Sequence, residues 1–258
     1  MNSVLLQVNN LTVSVADRPQ RRLLNQVSLS VPADSIVALV GGSGSGKTTA
    51  SLSVMRLLPP ALVCSEGQIF FKGVDLLTIP DQDVLSVRGK DIAMIFQDPM
   101  QAFNPVLTVG AQVCEVFQVH TDLPNAMIRQ KVLETFAQVG LDDPLRAFRS
   151  YPHQLSGGMR QRAMIAQAVG VSPSLLIADE PTSSLDVTLQ AKILDLFIRL
   201  KEVLRISIIL ITHDLGVVRH VADHVVVLSE GQVVESGPVK DILSHPKHRY
   251  TQQLIGVL

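Results

Sequence analysis

The sequence predicts an α/β fold: a mostly parallel sheet, an N-terminal antiparallel β subdomain and an inserted helical subdomain. Three observations carry that prediction. The runs "SIVALV" (35–40), "SLLIAD" (174–179), "ISIILIT" (206–212) and "HVVVLS" (224–229) are short and continuously apolar, as strands buried on both faces are. Helical stretches, "MRQRAMIAQAVG" and "TLQAKILDLFIRLKEV", separate the later runs, which implies right-handed crossovers and parallel pairing. Between about 98 and 156 strand-like runs vanish.

Taken in order, "LLQVNNLTVSV", "QVSLSV" and "GQIFFKG" alternate or carry β-branched residues between turn residues, so the first 75 or so positions read as strands. "TTASLSVMRLLPP" predicts a helix that stops at Pro59 and Pro60. "DIAMIF" is a further buried strand, ending at Gln97. "VGAQVCEVFQV" and "NAMIRQKVLETFAQVG" have helical periodicity. The expected boundaries are a core with its β subdomain at 1–97 and 157–258, and a helical subdomain at 98–156.

Composition narrows the function. Of 258 residues 47% are hydrophobic and 17% charged, enough apolar material for a large core. With 22 basic and 23 acidic residues the net charge is −1, which provides no electrostatic footprint for nucleic acid. No apolar run reaches the ~18–20 residues of a membrane span, and "MNSVLLQVNN" has no basic leader region, so no signal peptide is expected. Two cysteines, Cys64 and Cys114, lack metal-ligand spacing.

"GGSGSGKT" (41–48) follows a predicted strand and opens a predicted helix, the context in which G-x-x-x-x-G-K-[ST] cradles phosphates. Backbone N–H groups of Gly41, Gly42, Ser43, Gly44, Ser45, Gly46, Lys47, Thr48 and Thr49 can converge on an anion at a helix N-terminus. Lys47 is expected to reach the β- and γ-phosphates and the Thr48 hydroxyl to bind Mg²⁺. The strand "SLLIAD" ends in two carboxylates: Asp179 suits the Mg²⁺ shell, and Glu180 suits a general base addressing the attacking water. An acidic pair alone is an ordinary solvated strand tip; the flanking "LLIA" and "PTSSLD" favour chemistry. Gln97, at a strand end, could touch Mg²⁺ or that water; His213, at the tip of "ISIILIT", could bond the γ-phosphate. "LSGGMRQR" (155–162) has the look of a second anion cradle at a helix start.

Together these segments resemble the ATP-binding subunits of ABC transporters, with a P-loop core: "GGSGSGKT", "FQDP", "LSGGMRQR", "LLIADEP", "SSLD" and "ITHD" stand in the family's order across nearly the whole chain. The resemblance implies ATP and Mg²⁺ as cofactors, transport-coupled ATP hydrolysis, and Glu180, His213 and Gln97 as catalytic residues. It implies that Ser156, Gly157, Gly158 and Asp186 serve a nucleotide held by a second ATPase subunit, either a paralogue or an identical copy. Further implied partners are two transmembrane permeases and, indirectly, a substrate-binding protein, with the chain peripheral on the cytoplasmic face of a bacterial inner membrane. "FQDPMQAFNPVLTVG" and "HPKHRYTQQL" are similar to the peptide/nickel importer group. "GGSGSGK", "AFNP" and an end at Leu258 without a cysteine-bearing tail make nickel the expected cargo, with peptides as the alternative. A soluble ABC ATPase outside transport is the reading from another class. Family members often stack an aromatic ring on adenine near the first strands, where this sequence has Val15.

Overall fold

The computed structural model describes residues 3–183 and 185–256. In chain order its elements begin with β1 (Val4–Val15), β2 (Arg18–Pro32), β3 (Ile36–Val40), α1 (Lys47–Val54), β4 (Leu62–Phe71), β5 (Val74–Asp75), α2 (Asp81–Val87) and β6 (Ile92–Ile95). The helical stretch holds α3 (Pro99–Ala102), α4 (Val109–His120), α5 (Asn125–Gln138) and α6 (Pro144–Arg149). Then come α7 (Gly157–Val169), β7 (Leu175–Asp179), α8 (Val187–Leu204), β8 (Ser207–Thr212), α9 (Leu215–Val221), β9 (His224–Ser229), β10 (Gln232–Pro238), α10 (Val239–Ser244) and α11 (Arg249–Ile255). The α/β class is as the apolar runs predict. The chain forms two compact units, Met1–Leu85 with Lys201–Leu258, and Ser86–Leu200.

The first unit carries an antiparallel sheet in the order β2-β1-β4-β5 and the strand run β10-β9-β3-β8. In β1 the side chains Leu6, Val8, Leu11 and Val13 are buried, and a register shift lies between Val8 and Leu11. All five residues of β3 are buried, and it runs parallel to β8 on one side and β9 on the other. Ala38 and Val40 pack with Val218, Val225, Val227, Val239 and Ile242, and α11 covers this cluster with Tyr250 and Leu254. β10 returns antiparallel to β9, as a strand that follows the tight turn at Glu230 and Gly231 must.

One element departs from its prediction. The helix after the phosphate loop ends at Val54, well before Pro59. Arg56 takes a left-handed φ of 51°, and its N–H donates to Ser53 O (3.0 Å) while Leu57 N–H donates to Leu52 O (2.8 Å). That pair of bonds is the Schellman stop, usually made with glycine. Arginine holds it here through its side chain, which donates to Leu76 O, Ile79 O and Asp81 Oδ1 at 3.2, 2.8 and 2.7 Å.

In the second unit β6 runs parallel to β7, α3 to α6 supply the helical character expected between 98 and 156, and α7 follows. Four of these five starts are written in the sequence: Asp98, Thr108, Asp143 and Ser156 each cap the following helix with a side-chain oxygen, while α5 begins after Pro124 without one. Val113, Phe117, Ile128, Val132 and Phe136 are buried among these helices. Truncating a ring such as Phe136, fully buried, would cost about 3–5 kcal/mol.

Candidate nucleotide site

The phosphate loop leaves the end of β3 and enters α1. Its first glycine has no room for a side chain: a Cβ at Gly41 would lie 2.1 Å from Leu228 O. Gly46, the N-cap of α1, has a φ of 104°, and a Cβ there would meet Leu24 at 2.6 Å. No side chain caps α1, and the positive end of a helix dipole at that point favours an anion. Lys47 is buried, and its Nζ donates to Gly41 O (2.9 Å) and Gly42 O (2.8 Å), with Ser45 Oγ at 3.5 Å. The loop is braced from outside by Gly231 N–H, which donates to Ser45 O at 3.0 Å. Ser43, Gly44 and Thr48 are exposed, and Gly42 and Thr49 are half-buried.

His213 belongs to the same edge. β3 and β8 are parallel and pair Val40 with Thr212, so Gly41 and His213 leave neighbouring strands at one level. Asp214 then caps α9 by accepting from Gly216 N–H at 2.7 Å, which fixes the exposed His213 at the strand tip. Val15 ends β1, opposite Arg18 and Leu62.

The second unit gathers the other nominated residues. β6 and β7 pair Ile95 with Ala178, so Gln97 and Glu180 each stand two residues beyond a matched pair. They meet: Gln97 Nε2 donates to Glu180 Oε2 at 3.0 Å. Glu180 has a φ of 45°, a conformation rare for a non-glycine residue, and its carbonyl accepts from Ser183 Oγ at 3.1 Å. Asp179, one residue earlier, is buried. Gln97 and Asp179 in this unit, and Thr48 in the first, each carry a side-chain oxygen, the donor type that suits Mg²⁺.

At the signature turn the Ser156 hydroxyl accepts from Met159 N–H (3.3 Å), and Arg160 donates to Leu155 O (2.7 Å). Gly157 faces open space, whereas a Cβ at Gly158 would touch Leu189 of α8 at 3.2 Å. Asp186 is exposed and caps α8, accepting from Leu189 N–H at 3.0 Å. Ser184, within the "SSLD" segment, lies outside the described residues. Sequence reasoning assigned no role to Tyr250, whose hydroxyl accepts from Gly42 N–H at 2.7 Å. The only available signal was its place in the "HPKHRYTQQL" run.

Known proteins agree with this architecture. The ABC transporter family model matches residues 24–183. The chain is 46% identical over 254 residues to the dipeptide transport ATP-binding protein DppD of Bacillus subtilis, covering 98% of this chain and 76% of that protein. It is 45% identical to the peptidoglycan transport ATP-binding protein YejF of Agrobacterium fabrum, covering 97% of this chain but 46% of that longer relative. Among solved structures, the dimeric post-hydrolysis state of the ATP-binding cassette MJ0796 with ADP and Pi aligns with a TM-score of 0.79 at 26% identity, covering 91% of this chain and 98% of that one. A family match over more than half the chain, and relatives this similar across its length, establish that the chain belongs to the ABC transporter family as an ATP-binding, ATP-hydrolysing subunit.

Proposed function

We propose that this subunit powers the import of small peptides through membrane permeases. The observation that carries the cargo is the 46% identity, over 98% of the chain, to a relative named for dipeptide transport. That likeness favours peptides over nickel, which "GGSGSGK", "AFNP" and the end at Leu258 had suggested; such features say little about a cargo that the ATPase does not touch. The test is growth on a peptide as sole source of a required amino acid, beside growth that depends on nickel uptake, in cells lacking this gene. Loss of the first alone supports the proposal, and loss of the second alone overturns it.

In this reading Gly41 to Thr49 hold the ATP phosphates, with Lys47 on the β- and γ-oxygens. Mg²⁺, held by Thr48, Asp179 and Gln97, would neutralise phosphate charge. Glu180 orients and deprotonates the attacking water, and its bond from Gln97 keeps the carboxylate aimed. His213 bonds the γ-phosphate. Ser156, Gly157 and Gly158, with Asp186, complete the site of a second ATPase subunit, a paralogue or a copy. The exposed Phe96, Met100, Val106 and Leu107, which closely follow or flank Gln97, provide an apolar surface for a permease.

A further inference from the structure

The peptide unit between Gly41 and Gly42 is gripped on both edges. Its C=O accepts from Lys47 Nζ at 2.9 Å, and its N–H donates to the Tyr250 hydroxyl at 2.7 Å. In a trans peptide these two groups point in opposite directions, so the lysine and the tyrosine hold one plane from opposite sides. The plane needs holding. It lies between two residues without a Cβ, where a peptide flip meets the least steric resistance. A flip would break both bonds and turn the Gly41 carbonyl away from the ammonium group it helps to place.

Tyr250 is itself well anchored. It packs on the Val40 cluster. Its own N–H donates to His248 Nδ1 at 3.2 Å, and the Glu235 carboxylate of β10 accepts from Lys247 N–H (2.9 Å) and His248 N–H (3.0 Å).

We propose that Tyr250 is a positioning residue for ATP: by locking the Gly41–Gly42 peptide it fixes the Gly41 carbonyl that helps to orient Lys47, and so sets the affinity of the loop for nucleotide phosphates. This rests on reading Gly41 to Thr49 as the ATP site.

The test is Tyr250→Phe, which keeps the ring and its packing and removes only the hydroxyl. The unfolding midpoint should stay close to the parent's. Amide exchange at Gly42 should accelerate, and ATP affinity should fall by about three- to ten-fold, the scale of one hydrogen bond. Turnover at saturating ATP and Mg²⁺ should stay within about two-fold, since the loss is uniform binding. Gly42→Ala adds a second measurement. Its Cβ would sit 3.2 Å from the Tyr250 hydroxyl, so combining it with Tyr250→Phe relieves that crowding, and the double variant should lose less affinity than the two single losses together. Lys47→Ala separates the underlying reading from the proposal. If Lys47→Ala abolishes ATP binding while Tyr250→Phe changes neither exchange nor affinity, the proposal is overturned and the site stands. If Lys47→Ala leaves ATP affinity intact, the site itself is misread and the proposal goes with it. Should Gly42→Ala fail to fold, Gly42 exchange in Tyr250→Phe decides the matter alone.

Discussion

Glu180 concentrates much of the proposed chemistry in one side chain. Its carboxylate accepts from Gln97, and its backbone stands at a φ of 45°. Glu180→Gln retains an oxygen for that bond but cannot take a proton from water. Turnover should fall by ~10²-fold or more, with ATP affinity near the parent value. Steady-state phosphate release beside nucleotide titration checks this, and turnover within a few-fold of the parent would count against the assignment. The residue type and its strand-end position were legible from "LLIADEP". The positive φ was not, because no local pattern announces a strained glutamate; it is set by the turn through Ser183 that follows it.

At the scale of elements, α1 shows where pattern reading stops. Prolines at 59 and 60 promised a helix end, but the chain turns earlier because Arg56 binds two carbonyls and Asp81 from twenty or more residues away. Tertiary contacts of that kind leave no local trace. β3, β7 and β8, by contrast, were legible because strands buried on both faces must be apolar throughout. The Arg56 stop yields a signed prediction. Arg56→Ala keeps the left-handed strain and loses the bonds, so it should destabilise by about 2–3 kcal/mol. Arg56→Gly loses the same bonds but removes the strain, so it should cost about 1 kcal/mol less. Urea midpoints of the two variants decide it; equal values would mean that the turn is not held in this way. A second element-scale prediction concerns β10 and α11. Burial alone would raise the Glu235 carboxyl, but the neighbouring Thr251 hydroxyl and the N–H groups of Lys247 and His248 outweigh it, and the net shift is downward from 4.5. A depressed carboxylate contributes stability above its unfolded pKa and loses it as pH falls through the folded one. Thermal midpoints should therefore favour the parent over Glu235→Gln at neutral pH, and the gap should close once pH drops below 4.5 toward the lowered value. A gap that persisted at strongly acidic pH would show that the carboxylate charge is irrelevant there.

At the scale of the molecule, the proposed site belongs to two subunits, and the signature glycines offer the means to test that. Gly157 is open, so Gly157→Asp adds a carboxylate at the first turn of α7, where the helix dipole favours it. Gly158→Asp instead crowds Leu189 and should cost about 1–3 kcal/mol of monomer stability. Gly157→Asp is thus the cleaner probe: own-site ATP binding should persist while ATP-driven pairing fails, because like charges repel strongly where water is excluded. Mixing a Gly157→Asp chain with a Lys47→Ala chain places both lesions in one shared site and leaves the other whole. Light scattering should then report ATP-driven pairing above that of chains carrying both lesions; no difference would argue that the turn does not act across subunits. The central place of β3 has a consequence in time. The strand that launches the phosphate loop is flanked by β8 and β9, and Ile36 N–H is held by the carboxylate of Asp223, 187 residues away. A ribosome emits the loop early and its supports late, roughly ten to forty seconds later at about 5–20 residues per second. Through that interval β3 lacks both of the strands it pairs with. ATP can act as a folding ligand only once synthesis is nearly complete, so a truncated chain, however faithfully it carries the lysine, is born unable to bind its fuel.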